Sequence, residues 1–188
     1  MKKGISVKRT ALVLLAVLLV TATVWTTVAF LVDRSPSLDN TFVPVAVACQ
    51  VREDFDPTAN VKSNVSVQNT GDIAAYVRAA VVVTWVSENS GTTYGGAPKA
   101  EVDYTVAFAN DGWEKGSDGF YYCTTPVLPG DATPTLIRSI SPVAGRAPEG
   151  YVLSVQVIAS AIQSEPAEAV ESAWKAVAVN DGGTITLR

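Results

Sequence analysis

From about residue 42 onward the chain alternates between apolar and polar positions. In TFVPVAVACQVRED, Val43, Val45, Val47, Cys49 and Val51 fall on one side at a period of two, the pattern of a strand with one face toward a core. Pro44 inside that run fits an edge or early strand position, where its missing N–H does little harm. NVKSNVSVQ predicts a shorter strand, closed by the turn-like Asn69-Thr70-Gly71-Asp72. IAAYVRAAVVVTWVSE is the strongest strand signal. Ile73, Ala75, Val77, Ala79, Val81, Val83 and Trp85 share one apolar face, and Tyr76, Arg78 and Thr84 stand between small apolar residues on the other. Its β-branched content argues against a helix of the same length, so it is expected to cross the middle of the core.

Further strands are predicted in EVDYTVAFA, GFYYCTTPV and TPTLIRSISPV, the last two separated by Pro129-Gly130-Asp131. YVLSVQVIASAIQ is another long one, with Tyr151, Leu153, Val155, Val157, Ala159 and Ala161 in phase. SENSGTTYGGAPKA and NDGWEKGSDG read as Gly-rich connections, the second carrying an exposed Trp113; Trp85 and Trp174 are expected in the core. SEPAEAVESAWKAV breaks the β pattern. Ala167, Val170, Trp174 and Val177 fall at helical spacing, Pro166 suits a first turn, Glu165 and Glu168 sit at the positive end, and Lys175 lies near the negative one. One short helix capping the core, followed by a last strand TITL, completes the prediction. Without helices alternating between strands, an antiparallel all-β sandwich is expected rather than an α/β fold.

The first residues follow other rules. Lys2, Lys3, Lys8 and Arg9 precede a run from Ala11 to Val32 with no charge, the arrangement of an export signal whose cations stay cytoplasmic. The run is long enough to span ~30 Å of hydrocarbon and longer than a usual cleaved h-region of ~7–15 residues, which favours a retained anchor. The small side chains of Thr27-Val28-Ala29 favour cleavage. The residues by themselves leave both outcomes open.

Cleavage after Ala29 would leave ten basic side chains against eighteen acidic ones, with no histidine anywhere. An acidic domain of this kind is a poor partner for nucleic acid, and its charge aids solubility after export. The absence of histidine excludes Ser-His-Asp and Cys-His sites and the HExxH zinc helix. No phosphate-cradling Gly loop is present, and neither cysteine lies in a CxxC pair. Glu53, Asp54 and Asp56, and Asp111, Glu114 and Asp118, are read as solvated loop carboxylates rather than calcium ligands. Asn64-Val65-Ser66 matches a glycosylation sequon but lies in a strand pattern. Trp113 with Tyr121 and Tyr122 offers either an aromatic contact patch or ordinary packing. Nothing nominates a set of titratable groups for catalysis, so the expectation is a non-enzyme with no catalytic residue, cofactor or metal. Cys49 and Cys123 have two readings. In an exported chain they pair, closing a loop of roughly 74 residues for ~4 kcal/mol; otherwise they are two buried thiols packing as small hydrophobes.

The junction TTVAFLVDRS…LDNTF resembles the signal-peptide boundary of the TasA/camelysin family, exported Gram-positive matrix proteins processed by a SipW-type signal peptidase. Thr27, Ala29, Phe30, Asp33, Asn40, Thr41 and Phe42 hold the places of that pattern. NTGDIAAYVRAAVVVTW, GWEKGSDGFYYC and SEPAEAVESAW are similar to segments of SipW-dependent exported proteins. The resemblance implies cleavage between Ala29 and Phe30, a jelly-roll β-sandwich, and, as in the best-known members, assembly into extracellular fibres. The protease activity attached to the camelysin name does not transfer, because the chain lacks a zinc-binding helix and histidine. The two cysteines stand outside the family pattern.

The expected organisation is therefore a signal peptide over 1–29, an N-terminal arm over 30–41 and a β-sandwich over 42–188. Phe30, Leu31 and Val32 become a free apolar arm, costly to leave in water, while a sandwich has open edges that accept a strand. The expected partners are the SipW-type peptidase during export, then other copies or a related matrix protein, with the membrane engaged only before cleavage. The expected place is the extracellular matrix or cell surface. Two other readings compete: an accessory component of a larger fibre, and a membrane-anchored binding module gripping a ligand through GTTYGGAP or the Trp113 region.

Overall fold

The computed structural model describes residues 46–188, which fold into two four-stranded antiparallel sheets, a separate two-stranded hairpin and one short helix. The first sheet runs β1 (Cys49–Asp56), β2 (Val61–Asn69), β7 (Ile137–Pro142), β4 (Tyr104–Phe108). The second runs β5 (Trp113–Lys115), β6 (Tyr121–Cys123), β3 (Ala75–Ser87), β8 (Tyr151–Gln163). The fold is all-β, as the period-two pattern predicts.

The main core lies between the sheets. Val65, Ile137 and Ile140 from the first, with Leu136 just before β7, meet Ala79, Trp85, Leu153 and Val155 from the second. β3 and β8 pair in register over their whole length, from Ala75 opposite Gln163 to Ser87 opposite Tyr151. The alternating faces read from the sequence are kept: Ala75, Val77, Ala79 and Trp85 are buried toward the first sheet.

The outer face of the second sheet carries a smaller cluster. Tyr76, Tyr122, Val170, Trp174, Val177 and Ile185 pack together beneath α1 (Ala167–Ala173) and the hairpin β9 (Val177–Val179)–β10 (Ile185–Leu187). Here the structure departs from the helical reading. The helix stops at Trp174, whose φ of −115° is no longer helical, and Val177 is buried in a strand paired with Leu187. Asn180 explains the switch: its side-chain oxygen accepts from the backbone N–H of Gly182 and Thr184 and closes a tight turn.

NDGWEKGSDG also differs from its reading as a connection, because Trp113–Lys115 form β5 against β6. Trp113 is half-buried, packs beside both inner clusters, and its Nε1 donates to the Pro134 carbonyl at 2.9 Å. The GSDG turn holds this hairpin together. A side chain at Gly116 would meet Asp118 Oδ1 at 2.5 Å and the Tyr122 ring at 2.9 Å, so only glycine fits.

The start of the described chain is pinned at the β2–β3 turn. Buried Asn69 donates through Nδ2 to the carbonyls of Ile73 and Val127 and accepts from the Gly71 N–H. Asp72 N–H donates to Ala46 O at 2.9 Å, and a Cβ on Gly71 would meet that same oxygen at 2.5 Å. Among the described residues no helix is long and apolar enough to cross a membrane.

Candidate functional site: an open strand position beside β3

The two sides of β3 are treated differently. In an antiparallel ladder, backbone groups of alternate residues point to one neighbour and then the other. Ala74 O accepts from Ser164 N–H, so even-numbered residues face β8. Odd-numbered residues face the other way: Ala75 exchanges both bonds with Val127, Trp85 O accepts from Tyr94 N–H, and Ser87 N–H donates to Thr92 O. On that second side β6 pairs only with Arg78 and Ala79. The N–H and C=O of Val81 and Val83 point to the same side, and no described segment pairs with them.

The core opens at this gap. Ala79 and Trp85, flanking it on the same face, are buried, whereas Val81 and Val83 are half-exposed. They form the floor of a cleft of about 250 Å³ whose opposite wall is Tyr104, Val106 and Phe108 of the edge strand β4. Tyr121 closes one end, stacked on Phe108 with ring centroids 4.8 Å apart, and Lys115 Nζ lies 5.4 Å from the Tyr121 ring. Burial, followed by the nearby Tyr121 and Glu101, pushes the Tyr104 phenol up, with Lys115 opposing. The cleft thus combines backbone donors and acceptors that have no partner among the described residues with a largely apolar lining, the two things an added strand needs.

A larger recess of about 450 Å³ lies on the other face, between α1 and the β9–β10 turn. Its lining includes Tyr76, Glu165, Glu168, Glu171 and Asp181. Glu171 is already engaged by the Val179 N–H and by Arg188, each at 2.8 Å, and Tyr76 Oη donates to Gly183 O. Among the described residues no group of three or more Asp, Glu, Cys or His side chains is arranged to hold a metal ion.

The sequence-predicted residues fall as follows. Ala29, Phe30, Leu31 and Val32 lie outside the described residues. Cys49 and Cys123 come together in one cluster with Val67, Val77 and Val127, but both are free thiols and no bridge joins them. Cys123 Sγ donates to Thr125 O at 3.4 Å, and burial pushes both thiols up, which keeps them protonated and slow to react. The GTTYGGAP loop folds back on the body: Thr93 bridges Val86, and Tyr94 meets Tyr151 edge-on at 5.1 Å. Tyr122 is buried rather than part of a surface patch with Trp113.

The sequence placed Val81 and Val83 on the core face of their strand and offered Tyr121 as part of a contact patch or as ordinary packing, while Tyr104, Val106 and Phe108 stood only within the alternating strand EVDYTVAFA. Their one sequence signal is a mismatch of lengths. GFYYC, bounded by Gly119 and Pro126, is too short to cover the thirteen-residue β3 beside it. Comparison of the chain with protein-family models, with curated proteins and with solved structures finds no match.

Proposed function

We propose that the chain is an exported structural subunit of the TasA/camelysin type, a jelly-roll-like sandwich that assembles by strand donation into extracellular fibres. Removal of residues 1–29 by a SipW-type peptidase frees Phe30-Leu31-Val32, and this arm completes the sheet of a neighbouring copy. The observation that carries the reading is the open side of β3, where the backbone of Val81 and Val83 has no described partner above an apolar cleft. An inserted strand would satisfy those groups and bury its own apolar side chains at about 25 cal/mol per Å².

Polarity supports a filament rather than a closed pair. The arm's base is held beside Asp72, near the start of β3, whereas the cleft opens six to eight residues farther along, roughly 20–27 Å away by strand rise. The segment from Phe30 to Ala46 spans up to ~50 Å when extended, enough to leave its own body. Donor and acceptor are different surfaces, so each contact leaves one of each unused and growth does not close.

The test is to incubate purified residues 30–188 and follow concentration-dependent growth of ordered polymers by electron microscopy. Polymers are expected from this form and not after deletion of residues 30–38, with thermal unfolding of both forms reporting on the folded body. Polymers from the deleted form, or none from the intact one, would refute strand donation. An arm folded back into its own cleft would show as a stable monomer protected in residues 30–32.

A further inference from the structure

Given the strand donation proposed above, on which this rests, we infer that Lys115 sets the direction and register of the donated strand by pairing with Asp33 of the neighbouring copy. Among the described residues Lys115 is the one charged side chain that lines the cleft. It stands at the end closed by Tyr121, its cross-strand partner, and has no ion-pair partner among the described residues. Glu114, the next residue along β5, alternates to the outer face with Tyr122. Glu101 is near enough to Tyr104 to push its phenol up, but it stands outside the lining.

The slot beside β3 is blocked in line at both ends. Tyr121 pairs with Ala79, and Tyr94 N–H donates to Trp85 O, so an added strand lies opposite Ala80 to Thr84 and must start, stop or turn away within that stretch. A processed chain beginning at Phe30 can start there. Run parallel to β3, it would bring its terminal ammonium group to the Tyr121 end, beside the Lys115 cation. Run antiparallel, it places the ammonium at the Tyr94 end and brings the Asp33 carboxylate to Lys115. Like charges at a partly desolvated contact oppose docking and unlike charges favour it. Charge therefore selects the antiparallel strand.

Register follows from alternation. With Phe30 opposite Thr84, Leu31 comes opposite Val83 and Asp33 opposite Val81, the two residues whose backbone groups face the slot. Residues directly opposite share a face, so Leu31 fills the cleft and Asp33 lies on the same side as Lys115. Asp33 is then two residues along from Tyr121 and one strand over from Lys115, roughly 8 Å between Cα atoms. The flexible lysine stem bridges that span. Arg34 turns to the outer face and does not oppose Lys115. A slip of one residue would put Phe30 and Val32 inside and leave Lys115 facing no carboxylate.

The test uses the processed protein beginning at Phe30. A carbodiimide joins a lysine amine to a carboxylate in contact with it as an amide, taking up the released water as a urea. In growing polymers we expect mass spectrometry to find Lys115 joined to Asp33, with a ladder of covalent dimers and higher species that Lys115→Met removes. Lys115→Glu is expected to slow polymer growth roughly tenfold or more, and Asp33→Lys added to it to restore most of the rate. Thermal unfolding confirms that each variant is folded, and the crosslink in the unsubstituted protein decides the matter if one is not. Polymers that grow without the Lys115–Asp33 joint, that grow equally well with Lys115→Glu, or that the second substitution does not restore would overturn the pairing and leave strand donation standing. No polymers from the unsubstituted protein, or a joint confined to single chains, would overturn donation between copies and the pairing with it.

Discussion

The guanidinium of Arg78 lies 4.1 Å from the centre of the Phe120 ring, on the outer face of the strand that also builds the core. The Trp174 ring is 5.1 Å away, and Arg78 Nε donates to Ser160 Oγ. A cation held between two aromatic faces and tied to the adjacent strand fastens α1 and the GSDG hairpin to the second sheet. Tyr122 completes the join, donating its hydroxyl to Asp118 and meeting Trp174 edge-on at 5.7 Å.

Replacing Arg78 by Lys keeps the charge but loses the planar stacking and the directed bond to Ser160. Loss of about 1–2 kcal/mol is expected, the scale of a partly desolvated cation–π contact. Urea unfolding followed by tryptophan fluorescence reads it. A change within a few tenths of a kcal/mol would show that the rings pack equally well without the guanidinium.

Asn69→Ala is expected to cost more. It leaves the Ile73 carbonyl and the Gly71 N–H without their bonds and removes one of the two donors to the Val127 carbonyl, which keeps the Ala75 N–H. An unsatisfied buried group costs about 1–3 kcal/mol. Amide exchange in the β2–β3 turn should accelerate along with global unfolding, since the same turn anchors Ala46.

Acid should loosen the C-terminal hairpin. The hydrogen bond from Val179 N–H, followed by the attraction of Arg188, lowers the Glu171 carboxyl below its ordinary 4.5. A depressed carboxylate contributes stability above its unfolded value and loses it as pH falls through the folded one. The stability difference between the protein and its Glu171→Gln variant should be constant near neutral pH, shrink below about pH 4.5 and vanish in stronger acid. A difference unchanged to acid pH would remove Glu171 from the hairpin's support.

The thiols give a kinetic prediction. Cys123 is fully buried and both thiols are pushed up by burial, so labelling of Cys123 by a thiol reagent should follow unfolding. Both cysteines should react in denaturant without a reductant. Failure to react would mean that a bridge had formed between them.

The strong strands were readable because burial of one face imposes a period of two, and Ala75, Val77, Ala79 and Trp85 obey it, while Val81 and Val83 are half-exposed at the cleft and Tyr76 is buried on the other face. The short helix was readable from Pro166 and the Val170–Trp174 spacing, but its end was not. Val177 is buried whether the backbone is helical or extended, so hydrophobicity could not choose, and the Asn180 turn did. β5 was missed for the opposite reason. Three residues between turn-formers carry too little pattern, and Trp113 is held by contacts with Pro134 and with two clusters distant in sequence.

The sequence by itself determined the all-β class, the faces of β3 and β8, the acidic balance and the absence of histidine chemistry, because each depends on side chains and their spacing. Tertiary structure decided which edge of β3 finds a neighbour, how far α1 and the hairpin cover the second sheet, and that Cys49 and Cys123 share a cluster. Side-chain alternation reports which face of a strand is buried. It carries no information on the perpendicular direction, in which backbone groups point to the next strand, so the open position beside Val81 and Val83 appears only when the chain is folded.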